Sequence, residues 1–281
     1  MQNTRTNRAG KWLAFLFLTI MGVIWIVPLL YGITSSFKTN IEMQSVGFRF
    51  LPINWVLSNY TKLLANTTNT PVFRWFLNSL VIACGTTLLV LCVVSLSAFA
   101  YSRLKFRGKN ILFYGLLATM MFPPVMNLIP LYKIITTLGW ANTDWAMIVP
   151  AATGVFNIFL VRQFMDNIPI SYDEAARIDG ASDWQIFFRV ILPLIKPVLF
   201  VVALFTFTGS WNDFLWPSIV FSDLNKMPIT PGLKLLQGMY AANIPTLMAG
   251  ALVAIVPTLI LYFFAQKYFL QSMALSVGVK G

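Results

Sequence analysis

The sequence has no histidine and only two cysteines, Cys84 and Cys92. A zinc site built on imidazole, a Cys/His nucleophile pair and a histidine-ligated haem all lack their ingredients. The two cysteines stand eight residues apart in one apolar run. On a helix that is about 12 Å of rise, too far for a disulfide. Charge is scarce too: 10% of the 281 residues are charged and nine are acidic, where average globular chains carry about 25% charge. What is there is apolar, with 58% hydrophobic residues and a mean hydropathy of +0.74. A soluble core cannot hide so much apolar surface, whereas lipid solvates it directly, so the chain reads as an integral membrane protein. Disordered, coiled-coil and secreted disulfide-framework folds are excluded, and the composition disfavours an enzyme. A net charge of +11 would suggest nucleic acid in a soluble protein. In a membrane protein the positive-inside bias accounts for it, and no nucleic-acid partner is expected.

Crossing a hydrocarbon core near 30 Å takes about 20 mostly apolar residues. Six such runs bounded by charge occur, at about 12–33, 75–101, 111–135, 145–164, 194–221 and 246–268. They predict an all-α membrane protein with six transmembrane helices in one domain over 1–281. The first run has no small-residue cleavage site between it and Phe37-Lys38, so it is kept as an uncleaved span. Pro123, Pro124 and Pro130 in the third run, Pro150 in the fourth, Pro197 and Pro217 in the fifth and Pro257 in the sixth predict kinked or interrupted helices. Counting Lys and Arg on alternate sides puts 13 with the termini, including Arg5, Arg8, Lys11, Arg103, Lys105, Arg107 and Lys109, and 7 opposite. The side with 13 is cytoplasmic by the positive-inside rule, and both termini lie there.

Two connectors stand out. The external loop 37–74 is long enough to fold locally or to meet a partner. The cytoplasmic loop 165–193 holds five of the nine acids, Asp166, Asp173, Glu174, Asp179 and Asp183. Within it Ser171-Tyr172-Asp173-Glu174 fits a capping box, Ala175 to Ile178 propagate a helix, and Gly180 stands where a left-handed terminal residue is wanted. Ser182-Asp183-Trp184-Gln185 gives a second box, followed by the apolar Ile186, Phe187, Val190 and Ile191. Two short helices therefore meet at Gly180. Neither is stable alone in water, so packing must hold the pair, against its own bundle or against a cytosolic partner.

Glu174-Ala175-Ala176, three residues, Gly180, nine residues, Val190, one residue and Leu192-Pro193 resembles the EAA loop of ABC importer permeases, with Val190 where the family has Ile. The resemblance runs over nearly the whole chain. Asn59-Tyr60, Phe73 to Ser79, Ser97 to Leu104, Ile129 to Tyr132, Arg177 to Ala181, Gly209 to Phe214 and Val279-Lys280-Gly281 look like the carbohydrate-uptake branch, specifically the second permease subunit of maltose-type importers. The resemblance implies a type I importer permease fold in a bacterial or archaeal inner membrane. It implies alternating access for a sugar or oligosaccharide, with a second permease, two ATP-binding subunits and an extracytoplasmic solute-binding protein as partners. It also implies that Glu174, Ala175, Ala176, Arg177, Asp179, Gly180, Leu192 and Pro193 form a coupling helix seated on the ATPase.

No phosphate-binding GxxxxGK[ST] loop is present in the sequence, so ATP and Mg are expected on partner subunits and no cofactor on this chain. Asp213 is the one acid inside an apolar run, where a charge costs about 2.5–3.5 kcal/mol unless it faces protein or water. Two readings follow for Ser210, Trp211, Asn212 and Asp213: they line the translocation pathway, bonding sugar hydroxyls and stacking on a sugar ring, or they bond neighbouring helices. Asn127, Thr153 and Asn157 carry the same alternatives, with interhelical bonding the default. Trp12, Trp75, Trp145 and Trp216 sit near run ends and read as interface anchors in lipid. A secondary transporter or channel is the alternative function; it would prefer inverted repeats and several intramembrane charges, and Asp213 stands alone.

Overall fold

A computed structural model describes residues 8–45, 47–66 and 68–278. Among the described residues every regular element is helical. Arg5 and Val279-Lys280-Gly281 lie outside the described residues. The helices are α1 (Arg8–Ser36), α2 (Asn40–Ser45), α3 (Ser58–Ala65), α4 (Val72–Arg103), α5 (Lys109–Ala118), α6 (Leu128–Thr137), α7 (Trp145–Ile148), α8 (Val155–Asp166), α9 (Ser171–Ile178), α10 (Asp183–Gln185), α11 (Leu192–Leu194), α12 (Lys196–Asn212), α13 (Leu215–Val220), α14 (Ile229–Met239) and α15 (Ile244–Gly278).

Three helices among the described residues are each long and apolar enough to cross a membrane, over Gly10–Ser36, Val72–Arg103 and Ile244–Phe264. Three bent pairs complete six when each pair counts as one span. The third run breaks by 94° between Met121 and Pro124. Phe122 is extended there, as the residue before a proline prefers, and Pro123 and Pro124 supply no amide to continue the ladder. The fourth run bends by 46° at Gly154. The fifth departs from a single helix. A 76° bend separates Asp183–Leu194 from Lys196–Asn212; α12 then ends at Asn212, Asp213 is extended, and α13 is a separate short helix.

The chain divides into two compact units. In the first, formed by the described parts of 1–72 and 233–256, the segment after α1 folds locally. Buried Asn59 donates from Nδ2 to the carbonyls of Ser36 (2.8 Å) and Lys38 (2.9 Å). Lys38 Nζ donates to the Arg49 carbonyl, and Glu42 Oε1 accepts the Ile53 amide at 2.8 Å.

The second unit, the described parts of 73–232 and 257–281, holds two apolar cores. One joins Val90, Val94 and Ala98 of α4, which share a face at helical spacing, to Ile158, Val161 and Met165 of α8 and Val198 and Val202 of α12. Ile186, Phe187 and Ile191 complete it. The other gathers Ile82, Ile135, Ala146, Met147, Trp216, Val220 and Phe221. Two tryptophans expected at the lipid interface are instead inside this unit. Trp75 is fully buried and donates Nε1–H to the Leu224 carbonyl at 2.7 Å, and buried Trp216 donates to the Ala146 carbonyl at 2.9 Å. Each indole finds a backbone acceptor within the fold, which satisfies its N–H without an interfacial position. Trp12 and Trp145 are exposed.

Candidate functional site

The loop between α8 and α12 carries the residues that the EAA resemblance singles out. Its first helix, α9, starts one residue earlier than a Ser171 cap requires. Ile170 is already helical, the Tyr172 amide bonds the Pro169 carbonyl (3.3 Å), and the Asp173 and Glu174 amides bond the Ile170 carbonyl (2.9 and 3.1 Å). The Ser171–Glu174 capping box is therefore absent, because Pro169 opens the turn and puts Ser171 inside the helix. The second box is present: Ser182 Oγ accepts the Gln185 amide, and Gln185 Oε1 accepts the Ser182 amide at 2.8 Å.

Between them α9 ends in a left-handed residue. Gly180 has φ +81°, the Ala181 amide returns to the Ala176 carbonyl (2.9 Å), and the Gly180 amide returns to the Arg177 carbonyl (3.0 Å). These two bonds are a Schellman closure, which satisfies carbonyls that a helix end leaves free. Arg177 bonds Asp183 across this turn rather than its neighbour Asp179. After α10 the backbone takes a π-helical turn over Ile186–Ile191, which buries Ile186, Phe187 and Ile191. Leu192 and Pro193 follow in α11. The loop thus has a dry side rooted in the core and a wet side that exposes Glu174, Ala175, Ile178, Asp179 and Gly180, with Ile178 87% exposed.

Under α9 lies a contact that sequence reasoning missed. Arg103, the last residue of α4, places Nε 3.1 Å from Asp173 Oδ2, with side chains 7% and 5% exposed. Its Nη2 donates to the carbonyls of Met165 (3.0 Å) and Ile168 (2.8 Å) at the end of α8. Burial pushes the Asp173 carboxyl above its ordinary value, and the Arg103 and then the Arg177 guanidinium pull against that shift. Lys109 donates to the carbonyls of Ser102 and Leu104, both at 3.0 Å. Two of the four cations of 102–110, Arg103 and Lys109, are therefore structural. Between this loop and α9 opens a cleft of about 710 Å³, lined by Arg103, Lys105, Phe106, Glu174, Arg177 and Asp183 among others.

The candidate pathway residues lie on three separate elements. Trp211 is buried, stacked on Phe207 at 5.9 Å and edge-on to Phe76 at 5.4 Å, so its ring packs inside the chain. Asp213 stands at the break after α12, with the amides of Trp216, Leu215 and Phe214 bonded to its carboxylate. It thereby supplies acceptors to the start of α13. Asn212 is exposed and donates to the Thr208 carbonyl at 2.9 Å, and Ser210 is half-buried. Asn127 is exposed at the broken third run, and Asn157 is half-buried on α8. Neither cysteine is paired, as the spacing predicts. No group of three or more His, Cys, Asp or Glu side chains with metal-site geometry occurs among the described residues.

Residues 93–275 match the family model described as binding-protein-dependent transport system inner membrane component. The arabinooligosaccharides transport system permease protein of Bacillus subtilis (strain 168) is 32% identical over 268 residues, 95% of this chain and 94% of that protein. The diacetylchitobiose uptake system permease protein of Streptomyces coelicolor is 33% identical over 254 residues, 89% of this chain and 83% of that protein. Among solved structures, a bacterial ABC transporter involved in the import of the acidic polysaccharide alginate superposes with a TM-score of 0.83 and 25% identity, covering 96% of this chain and 99% of that one. A match over residues 93–275, together with near full-length relatives that share its multi-pass helical fold, means that this chain belongs to the binding-protein-dependent transport system inner membrane components.

Proposed function

We propose that the chain is one of two permease subunits of an ATP-driven importer for an oligosaccharide. The observation that carries this reading is the coupling loop: a helix-Gly-helix with the family spacing, rooted by Ile186, Phe187 and Ile191 in the core and exposing Glu174, Ala175, Ile178 and Gly180 on its far side. The loop exposes several large apolar side chains, Ile170, Tyr172, Ile178 and Trp184, as a surface to be covered by another protein does. The ATPase partners hold ATP and Mg, this chain binds no cofactor, and the loop lies on the cytoplasmic side with both termini, in keeping with 13 of the 20 cations on that side. A maltose-type second-permease role fits the chain, and an extracytoplasmic binding protein delivers the sugar.

The substrate class rests on the relatives. Proteins 32–33% identical to this chain are named for arabinooligosaccharides, diacetylchitobiose and galactooligosaccharides, so the shared feature is a short saccharide. Among the pathway candidates Asn212 and Asn127 are the exposed amides, able both to donate to and to accept from sugar hydroxyls. Affinity purification of the chain from its native membrane tests the assembly. A second permease and an ATP-binding subunit are expected to co-purify; a homo-oligomer with no ATPase would remove the proposal in favour of a secondary transporter.

A further inference from the structure

The surface that α9 presents to a partner has an anchor beneath it, and the anchor is asymmetric. The carboxyl-terminal half of the loop is held by apolar packing, through Ile186, Phe187 and Ile191 in the same core as α4, α8 and α12. The amino-terminal half, α9 itself, exposes most of its residues and buries one charged side chain, Asp173. That carboxylate meets Arg103, whose guanidinium also closes the end of α8 through the Met165 and Ile168 carbonyls. Three elements converge on one side chain: α4 through its own backbone, α8 through two carbonyls and α9 through a carboxylate. Nη2 of the planar guanidinium fork donates to both carbonyls while the charge of the group pairs with Asp173, a division of contacts that a lysine ammonium cannot reproduce. Ser102 Oγ reinforces the junction by donating to Asp166 Oδ1 at 2.6 Å. Apart from this pin, α9 meets the core through the partly buried Ala176 and is joined to its neighbours by the segment from α8 and by the Gly180 turn.

We propose that Arg103 is a positioning residue for energy coupling: its fork pins α9 to the ends of α4 and α8, so that a displacement of α9 by a docked subunit passes into those two helices as one rigid body instead of being absorbed at the Gly180 turn. The proposal rests on the importer function above. A packed junction with two discrete arrangements transmits a push, whereas a helix free to pivot dissipates it.

The test uses the complete reconstituted importer and two readouts, the amount of assembled complex and the sugar transported per ATP hydrolysed. The double variant Arg103→Met/Asp173→Leu removes both charges together, so that neither is left buried alone. It is expected to assemble and to lose about tenfold or more in sugar moved per ATP, the range of an ordinary coupling interaction. Arg103→Lys is expected to fall between this variant and the wild type. A second pair, Arg103→Cys/Asp173→Cys, made in a chain whose Cys84 and Cys92 are serine, is compared before and after joining by a short bis-maleimide. Joining should restore the ratio within one preparation, even if the apolar variant fails to assemble. Wild-type transport per ATP in the assembled apolar variant, or no recovery on joining, would overturn the proposal. A wild-type complex without sugar-stimulated hydrolysis would instead remove the importer function itself.

Discussion

Gly180 offers the sharpest test of the coupling loop, because its environment separates backbone strain from crowding. A Cβ built there meets nothing within 4 Å, yet φ is +81°, in the left-handed region. The whole penalty of a substitution is therefore conformational, about 1–2 kcal/mol for an ordinary L residue and more for a β-branched one. One to two kcal/mol is a factor of about 5–30 in the population of the closed turn. Leaving the left-handed region breaks the Ala181–Ala176 and Gly180–Arg177 bonds and redirects α9 relative to the π-helical turn. The core residues Ile186, Phe187 and Ile191 are untouched, so the complex is expected to assemble. ATP-driven uptake should fall in the order Gly, Asn, Ala, Val at position 180, with Gly180→Asn nearest to wild type because asparagine tolerates this region. Quantified complex and sugar uptake in the same vesicles provide the assay. Equal uptake by Gly180→Val and wild type would refute the reasoning. Asparagine falling below valine would show that a docked subunit, rather than backbone strain, sets the limit.

Three further outcomes follow from the same geometry. Gly232→Ala puts a methyl 2.4–2.5 Å from the carbons of the Trp75 indole, which is fully buried and tied to Leu224, so it should cost about 1–3 kcal/mol and lower the thermal midpoint in detergent, while Gly238→Ala, with open space, should not. Asn142, at φ 59°, accepts the Ser222 and Asp223 amides at 2.7 and 2.9 Å; Asn142→Gly keeps the backbone freedom and loses both bonds, Asn142→Ala loses both features, and stability should fall in that order by about 1–2 kcal/mol in thermal denaturation. The raised carboxyl of Asp173 means that the native protein holds a proton which the unfolded chain releases between the ordinary value and the raised one. Stability from this group therefore falls as pH rises through that window, and Asp173→Asn should flatten that part of a pH–stability profile.

Composition and run length made the membrane class and six apolar runs legible, because lipid imposes both on any helical span. The prolines flagged interruptions at Pro123-Pro124 and at Pro197, but the bends of 94° and 76° depend on what packs against each half. Ser182 announced its cap because the chain there is still extended (ψ 163°); Ser171 did not cap, because Pro169 and Ile170 had already begun the helix. Gly180 was readable from position alone, since few residues other than glycine take its φ without strain. The Arg103–Asp173 junction was not readable. Arg103 looked like one more cation in a positive-inside loop and Asp173 like a charge favouring a helix N-terminus, and no period relates residues so far apart in sequence. Trp75 and Trp216 misled for the same reason, since a tryptophan near a span end has the same sequence whether its N–H meets a headgroup or a carbonyl of its own fold. Trp211 stacks on Phe207 four residues away, a helical spacing that sequence does reveal, yet its burial depends on Phe76 from α4.

The most direct test of the central claim is uptake of labelled oligosaccharide by proteoliposomes that contain this chain with its co-purified subunits. The account predicts uptake that requires ATP on the side of the coupling loop and a binding protein on the other, and that stops when either is withheld. Uptake by the chain alone, driven by an ion gradient with no ATPase present, would contradict it.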